Sequence, residues 1–195
     1  MHKSPDRKQE GSLLYQALNQ EGTSKPDSKK STDKAVAEEQ FKLGEKYYNG
    51  GEGVDKDHAK AFEHYSNASG YNHAGAQFKI GLMYQNGEGV NKDYTKAFEW
   101  YQKSAENGNA TAQYLMGNLH KSEGVNYDPY IAIEWYKRAA YQGEVLAQYD
   151  LGVMYYNGKG IKQDLSEAKE WFGMACDSGF PPGCEIYREL NLKGY

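Results

Sequence analysis

The chain has little of what marks several common protein classes. Among its 195 residues are only two cysteines, which excludes a scaffold held together by many disulfides. No run of 18 apolar residues occurs, so no membrane span is predicted, and the first residues lead into no apolar stretch of signal-peptide length. Lysine and arginine (23) are outnumbered by aspartate and glutamate (27). A nucleic-acid binder normally shows a basic excess, so nucleic acid is not an expected partner.

The composition changes near residue 36. Residues 1–36 are rich in Lys, Ser, Asp, Gln and Thr, and we expect a flexible N-terminal tail there, with Thr23–Lys34 as a linker, because so little apolar surface cannot offset the entropy of ordering. The one apolar cluster, in residues 11–19, is either a docking peptide, a degraded targeting segment or plain disorder. Residues 37–195 are acidic and weakly favour a partner with a basic patch.

A pattern of 35 to 37 residues recurs four times after the tail. Each copy predicts two helices, separated by a glycine-rich loop. The second helix is expected to begin at an aspartate whose carboxylate caps it. It should end at a residue suited to the left-handed conformation. The glycine anchors are Gly44, Gly81, Gly117 and Gly152, the capping aspartates Asp57, Asp93, Asp128 and Asp164, and the end residues Asn72, Gly108, Gly143 and Gly179.

These anchors divide the second part of the chain into repeats. A small residue such as Gly81 would let the two helices of a repeat approach closely, while the ring of Tyr84 or Tyr101 fills the adjacent space. One helix pair cannot bury its apolar face alone, so the repeats are expected to stack. The predicted repeats are residues 37–72, 73–108, 109–143 and 144–179, with a capping helix in 180–195.

The second repeat carries the fullest motif set. Ile80–Tyr84, Gly87–Val90 and Asp93–Tyr101 supply Gly-x-Met-Tyr, Gly-x-Gly-Val and Asp-x-x-Lys-Ala-x-x-Trp-Tyr. This pattern resembles the Sel1-like repeat, a relative of the tetratricopeptide repeat, over about residues 37–180. The resemblance implies an all-α, right-handed α-α superhelix (solenoid) of four helix-turn-helix repeats plus a C-terminal capping helix. It also implies a scaffold that holds partner proteins, and some bacterial members act at the cell envelope or against secreted toxins.

The cysteines give a narrower resemblance. Cys176 and Cys184 are eight residues apart, which is similar to the cysteine-rich bacterial subgroup, where this spacing staples a second helix to the next first helix. The resemblance therefore implies a disulfide if the protein is exported, and two reduced thiols in a reducing cytosol. The compartment is not predicted: cytoplasmic by default, periplasmic if a leader is removed.

No catalytic or metal site is predicted. The five histidines form no metal-ligand spacing, and the Gly-x-Gly loops follow no strand, so they are interpreted as turns and not as phosphate cradles. Ser31–Lys34 and Ser166–Lys169 match the Ser-x-x-Lys element of β-lactam-directed enzymes, but both companion motifs are missing. We therefore predict no enzyme activity and no cofactor.

A partner is expected on the concave wall, which the first helices line by analogy with the tetratricopeptide geometry. Tyrosine suits such a surface because it brings contact area and a polar tip. The Phe/Tyr ladder, which consists of Phe41, Phe78, Tyr114 and Tyr149, recurs in every repeat and could instead stabilise the packing of the repeats. Lys121 and Tyr156 do not recur, so they are better candidates for specificity. The predicted groove residues are Phe41, Tyr48, Phe78, Leu82, Gln85, Tyr114, Asn118, Lys121, Tyr149 and Tyr156.

The sequence leads to several hypotheses about function. The leading hypothesis is a monomeric, non-enzymatic scaffold that binds a partner protein or peptide in the groove. A sharper form is an immunity protein that neutralises a secreted bacterial toxin. The alternatives are a β-lactam or cell-wall hydrolase, whose turnover would disappear with Ser166→Ala, and a purely structural array without a specific ligand.

Overall fold

The computed structural model describes residues 28–51, 53–122 and 126–195. In this part of the chain the backbone forms nine α-helices, and its β structure is an isolated bridge between Gly51 and Val54. The prediction of an all-α repeat fold is confirmed. The helices are α1 (Ser28–Asn49), α2 (His58–Ser69), α3 (Ala74–Asn86), α4 (Tyr94–Glu106), α5 (Ala110–Lys121), α6 (Pro129–Tyr141), α7 (Val145–Asn157), α8 (Leu165–Asp177) and α9 (Pro181–Leu192).

The chain divides into two compact units, whose described parts are residues 28–112 and 113–195. In the first unit α1 packs on α2, α2 on α3 and α3 on α4; in the second α6 packs on α7, α7 on α8 and α8 on α9. In these pairs a helix packs on its neighbour in the chain, as stacked helix pairs do. None of the described helices is long and apolar enough to cross a bilayer.

The predicted helix boundaries are present in all four repeats. Each capping aspartate accepts a backbone N–H hydrogen bond from the first turn of its helix, at 2.9–3.1 Å. These bonds satisfy N–H groups that have no partner within the helix. At the other end, Asn72, Gly108, Gly143 and Gly179 have positive φ angles between 58° and 97°. The local signals in the sequence therefore set where each second helix begins and ends.

A close contact between a glycine and an aromatic ring joins the two helices of each repeat. A Cβ atom at Gly81 would lie 2.6 Å from the Tyr101 ring, which is far inside van der Waals contact. The equivalent distances are 2.5 Å at Gly44, 2.4 Å at Gly117 and 2.7 Å at Gly152, to Tyr65, Tyr136 and Phe172. Tyr101 and not Tyr84 therefore fills the predicted space, since the Tyr84 ring meets Phe62 instead, 5.7 Å away.

We expect Gly81→Ala to destabilise the first unit by about 1–3 kcal/mol, because the new methyl group overpacks a buried contact. Alanine has a higher helix propensity than glycine by about 1 kcal/mol. An increase in the free energy of unfolding would therefore show that the two helices can move apart to accommodate the methyl group without loss of packing energy. Urea denaturation measures the change. Thr95→Ala, at an exposed site on α4, is the control and should alter stability by less than about 0.5 kcal/mol.

The N-terminal helix begins earlier than the sequence predicts. Residues 28–36 belong to α1, although they fall in the segment expected to be flexible. Lys30, Asp33 and Lys34 line a shallow cleft together with the turn between α2 and α3. Helical structure in proteins depends more on tertiary surroundings than on local composition, so composition alone does not indicate where α1 begins. The apolar cluster of residues 11–19 lies outside the described residues.

The C-terminal helix is fastened to the fourth repeat. A disulfide joins Cys176, in the last turn of α8, to Cys184 in the first turn of α9, with Cα atoms 4.5 Å apart, which confirms the pairing implied by the resemblance. Leu190 of α9 is buried against Ala168 and Phe172 of α8. The predicted capping helix is therefore held by a covalent bond and by apolar packing.

Candidate functional site

The predicted groove residues all lie on the first helices of the repeats. Those of residues 28–112 are on α1 and α3, and those of residues 113–195 are on α5 and α7. Each set belongs to its own compact unit. The lists are Phe41, Tyr48, Phe78, Leu82 and Gln85 for the first unit, and Tyr114, Asn118, Lys121, Tyr149 and Tyr156 for the second.

The Phe/Tyr ladder contributes to the packing of every repeat. The Phe41 ring lies 5.8 Å from that of Tyr65, and the Phe78 ring lies 5.4 Å from that of Tyr101. In the second unit the corresponding distances are 5.7 Å from Tyr114 to Tyr136 and 5.5 Å from Tyr149 to Phe172. The ladder rings are half-buried, so they stabilise the helix pairs and leave part of their surface open.

Charged side chains connect the first two repeats beside this ladder. Glu45 of α1 accepts hydrogen bonds from Lys79 of α3 at 2.9 Å and from the Tyr65 hydroxyl at 2.5 Å. Tyr48 donates to Glu88 at 2.7 Å. The Lys79 ammonium also lies 5.2 Å from the centre of the Tyr48 ring, so one cation serves both an acid and an aromatic face.

The charges in this cluster are stabilised by their neighbours. The hydrogen bond to Glu88, together with burial, raises the pKa of Tyr48 to about 12, and the same bond lowers the pKa of Glu88. Burial alone would raise the pKa of Glu45, but hydrogen bonds from Tyr65 and Lys79 outweigh it and lower that pKa. At neutral pH the two acids are therefore ionised, and Tyr48 keeps its proton.

In the first three repeats, the hydroxyl of the second-helix tyrosine donates a hydrogen bond to a different acceptor each time. In the first repeat the acceptor is Glu45, the residue after the helix glycine. In the second repeat that place is taken by the apolar Leu82, and the Tyr101 hydroxyl donates instead to Gln85, one turn later, at 2.5 Å. Gln85 is exposed, so it can contact a partner while it holds Tyr101.

The second unit has its own charged cluster, centred on Asp150 of α7. Lys121 of α5 lies 2.9 Å from its carboxylate, and the Tyr114 hydroxyl donates to it at 3.2 Å. Asn118 accepts a hydrogen bond from the Tyr136 hydroxyl at 2.7 Å, and the Lys121 ammonium lies 5.5 Å from the centre of the Tyr136 ring. Lys121, the predicted specificity residue, is thus held in place by Asp150 and by the Tyr136 ring.

The fourth repeat is more apolar. Phe172 replaces the hydroxyl-bearing ring, and Val153 follows the helix glycine, so no acceptor is needed there. The Tyr149 ring lies 5.1 Å from Phe180, and the Tyr156 ring lies 6.3 Å from Phe172. Tyr149 and Tyr156 therefore present half-buried aromatic surface on α7, the helix that also carries Asp150.

Sequence reasoning missed Lys79, Glu88 and Asp150, which supply much of the charge on these surfaces. A signal for two of them was available. Lys79 and Asp150 both stand two residues before the helix glycine, and in the structure this position faces the preceding first helix. A charged residue there predicts an ion pair between neighbouring repeats.

The positions of Ser166 and Lys169 give little support to the hydrolase hypothesis. Ser166 lies exposed in the first turn of α8. The Lys169 ammonium, which would have to activate it, donates to the backbone carbonyl of Tyr195. Among the residues that the structure describes, no three His, Cys, Asp or Glu side chains are grouped so that they could hold a metal ion.

The repeat geometry agrees with the comparison to known families. A sequence model of the Sel1 repeat matches residues 40–69, 74–109, 110–144 and 145–180, which together make up well over half of the chain. The chain belongs to the Sel1 repeat family. This confirms the resemblance stated from the sequence. Solenoid repeats typically present extended surfaces that bind other proteins, so membership suggests protein binding as a general function.

Solved Sel1 repeat structures share the fold. A Sel1 repeat protein from Oxalobacter formigenes is 30% identical with a TM-score of 0.74, and the match covers 79% of this chain and 44% of that one. A protective antigen of uropathogenic Escherichia coli is 35% identical with a TM-score of 0.66, over 76% of this chain and 32% of that one. This chain therefore spans less than half of either protein.

A shorter similarity is found with an uncharacterized protein of Haemophilus influenzae. The two are 52% identical over 33 residues, which is 17% of this chain and 64% of the other. The matched length is about that of one repeat.

Proposed function

We propose that this Sel1 repeat protein is a non-enzymatic scaffold that binds another protein through the first-helix faces. The observation that carries the proposal is the cluster of Lys121, Asp150 and Tyr114. Its charged groups are partly exposed, yet fixed by mutual hydrogen bonds of 2.9 and 3.2 Å. Side chains ordered before binding lose little entropy when a partner arrives.

The first unit offers a surface of similar chemistry. Glu45, Lys79 and Glu88 place charges of both signs around the Tyr48 ring. Aromatic rings with polar tips are frequent anchors in protein interfaces, and fixed charges beside them select among partners. A protein segment with both apolar and charged side chains fits these faces better than a small apolar ligand does.

The test is capture of a partner from a lysate of the source cell, followed by affinity measurement with the purified partner. The groove variant carries Tyr48→Ala, Lys121→Ala and Tyr156→Ala. We expect it to bind about tenfold or more weakly than the wild type, because each change removes a ring or a fixed charge from a first-helix face. If the partner is a secreted toxin, the immunity hypothesis gains direct support.

The matched control changes exposed second-helix residues, by Glu99→Ala, Gln102→Ala and Glu170→Ala. It should bind as the wild type does. Both variants are compared by thermal unfolding first, so that lost binding is not confused with lost structure. A partner that binds the groove variant and the control equally well would contradict the proposal.

A further inference from the structure

One face of α1 has no preceding second helix to cover it, because α1 is the first helix in the part of the chain that the structure describes. Glu39, Leu43 and Lys46 lie along this face, about one helical turn apart. Leu43 is half-buried, and Glu39 and Lys46 are exposed. A shallow groove of about 460 Å³ runs beside them, lined by Ala35, Glu38, Glu39, Lys42, Leu43 and Lys46.

The same face is buried on the first helix of the next repeat. The counterparts on α3, 37 residues later, are Ala76, Ile80 and Met83. All three are fully buried, in one cluster with residues of the preceding second helix, α2. The corresponding residues of α7 are buried against α6 in the same way. A second helix is therefore the element that covers this face where two described repeats meet.

The N-terminal tail contains the sequence pattern of such a helix in residues 11–22, which lie outside the described residues. In every repeat the large ring of the second helix stands seven residues before the residue that ends that helix, as Tyr101 stands before Gly108. Tyr15 and Gly22 have the same spacing. The tail therefore repeats the relation between the ring and the helix end that defines all four second helices.

The buried positions of the pattern agree as well. The second helix α2 buries a small residue four positions before its ring and another three positions after it, Ala61 and Ala68. In the tail these positions hold Gly11 and Leu18. The pattern is incomplete at its start, because Arg7 stands where the repeats have the capping aspartate. Residues 11–22 thus correspond to a second helix without its capped beginning.

The connecting chain is long enough to bring this segment to α1. Ala37 is the counterpart of Ala74, where α3 begins, and Ser28 lies about 14 Å before it along the axis of α1. The six residues from Gly22 to Ser28 can span at most about 20 Å. The tail can therefore run back beside α1 to the level at which the second helix of a preceding repeat would end.

Two charged residues make this face less apolar than its counterpart on α3. Glu39 stands in the place of Ala76, and Lys46 in the place of Met83. A long side chain can cover apolar surface with its stem while its charged end stays in water, but it contributes less than a buried methionine does. Contact at this face is therefore expected to be weaker than the contact between two complete repeats.

We propose that residues 11–22 pack on this face of α1 and act as half a repeat that closes the N-terminal end of the array. Tyr15 and Leu18 cover Leu43, as α2 covers Ile80 in the next repeat. The sequence pattern, and not charge, selects this occupant. The contact is independent of partner binding at the first-helix faces, so the tail is a structural part of the first repeat.

The test is hydrogen exchange, followed by mass spectrometry, on the full 195-residue protein. We expect backbone amides in residues 13–22 to exchange about tenfold or more slowly than in a synthetic peptide of residues 8–24. Leu43→Asp should remove most of this protection, because it places a charge in the apolar contact. Leu18→Asp should remove it to the same extent, and the double variant should lose no more than either single variant.

Leu146→Asp is the matched control, because it makes the same change at an exposed leucine of α7. It should leave exchange in residues 13–22 as in the wild type. Leu18→Asp lies outside the described repeats, so it remains informative if thermal unfolding shows that Leu43→Asp is destabilised. The proposal is overturned if the wild-type tail exchanges as fast as the free peptide. It is also overturned if protection survives Leu43→Asp, since the tail would then pack on another surface.

Discussion

Replacing Tyr136 with alanine is expected to lower the free energy of unfolding of residues 113–195 by about 3–5 kcal/mol. The side chain is fully buried, and its ring lies on Gly117 and beside the Tyr114 ring. Removing it leaves a cavity between α5 and α6 and takes the hydrogen-bond donor away from Asn118. A loss of this size is a large part of the stability of a small domain.

Tyr136→Phe separates the ring from its hydroxyl. We expect it to cost only about 0.5–1.5 kcal/mol, the usual net worth of a hydrogen bond, since the fourth repeat already uses Phe172 at this position. Equilibrium urea denaturation of both variants measures the two terms. Equal losses for the alanine and phenylalanine variants would show that the hydroxyl, and not ring packing, holds the third repeat together.

Removal of the disulfide is expected to destabilise the C-terminal end of the chain by about 2–3 kcal/mol, because the bond closes a short loop in the unfolded chain. The double variant Cys176→Ser, Cys184→Ser tests this. Helix α9 should lose most protection from hydrogen exchange, since it is then held only by packing around Leu190. Exchange from α1 to α4 should not change, because those helices belong to the other unit.

The wild-type protein treated with reductant is the matched control for this experiment. It should reach the same stability as the double serine variant, and the serine variant itself should not respond to reductant. Thermal unfolding with and without reductant compares the two proteins directly. A wild type that is insensitive to reductant would contradict a stabilising role for the bond.

The sequence was sufficient to predict the helices because local signals agree in every repeat. The aspartate caps and the left-handed residues Asn72, Gly108, Gly143 and Gly179 act within a single turn, so their effect can be read without the rest of the fold. The start of α1 could not be predicted in this way. Lys30, Asp33 and Lys34 line a cleft with the turn after α2, which only the folded chain brings near.

The surfaces were harder to predict than the helices. The predicted groove residues lie on the first helices, but charged residues near them form ion pairs between neighbouring repeats, as Lys79 does with Glu45. Such pairs depend on the stacking of repeats, so a charged residue two positions before the helix glycine becomes a usable signal only once that stacking is known.

The contact between the helix glycine and its ring lies wholly inside one repeat, and this bears on how such proteins can evolve. Gly117 and Tyr136 are encoded close together, so a duplicated segment of the gene carries both partners of the contact at once. A new copy of the repeat therefore carries both residues of the glycine–ring contact and needs no compensating substitution elsewhere in the chain. The neighbouring position is then free to diverge, as the change from Glu45 to Leu82 and from Asn118 to Val153 illustrates. Repeat number and surface chemistry can therefore change separately in this architecture.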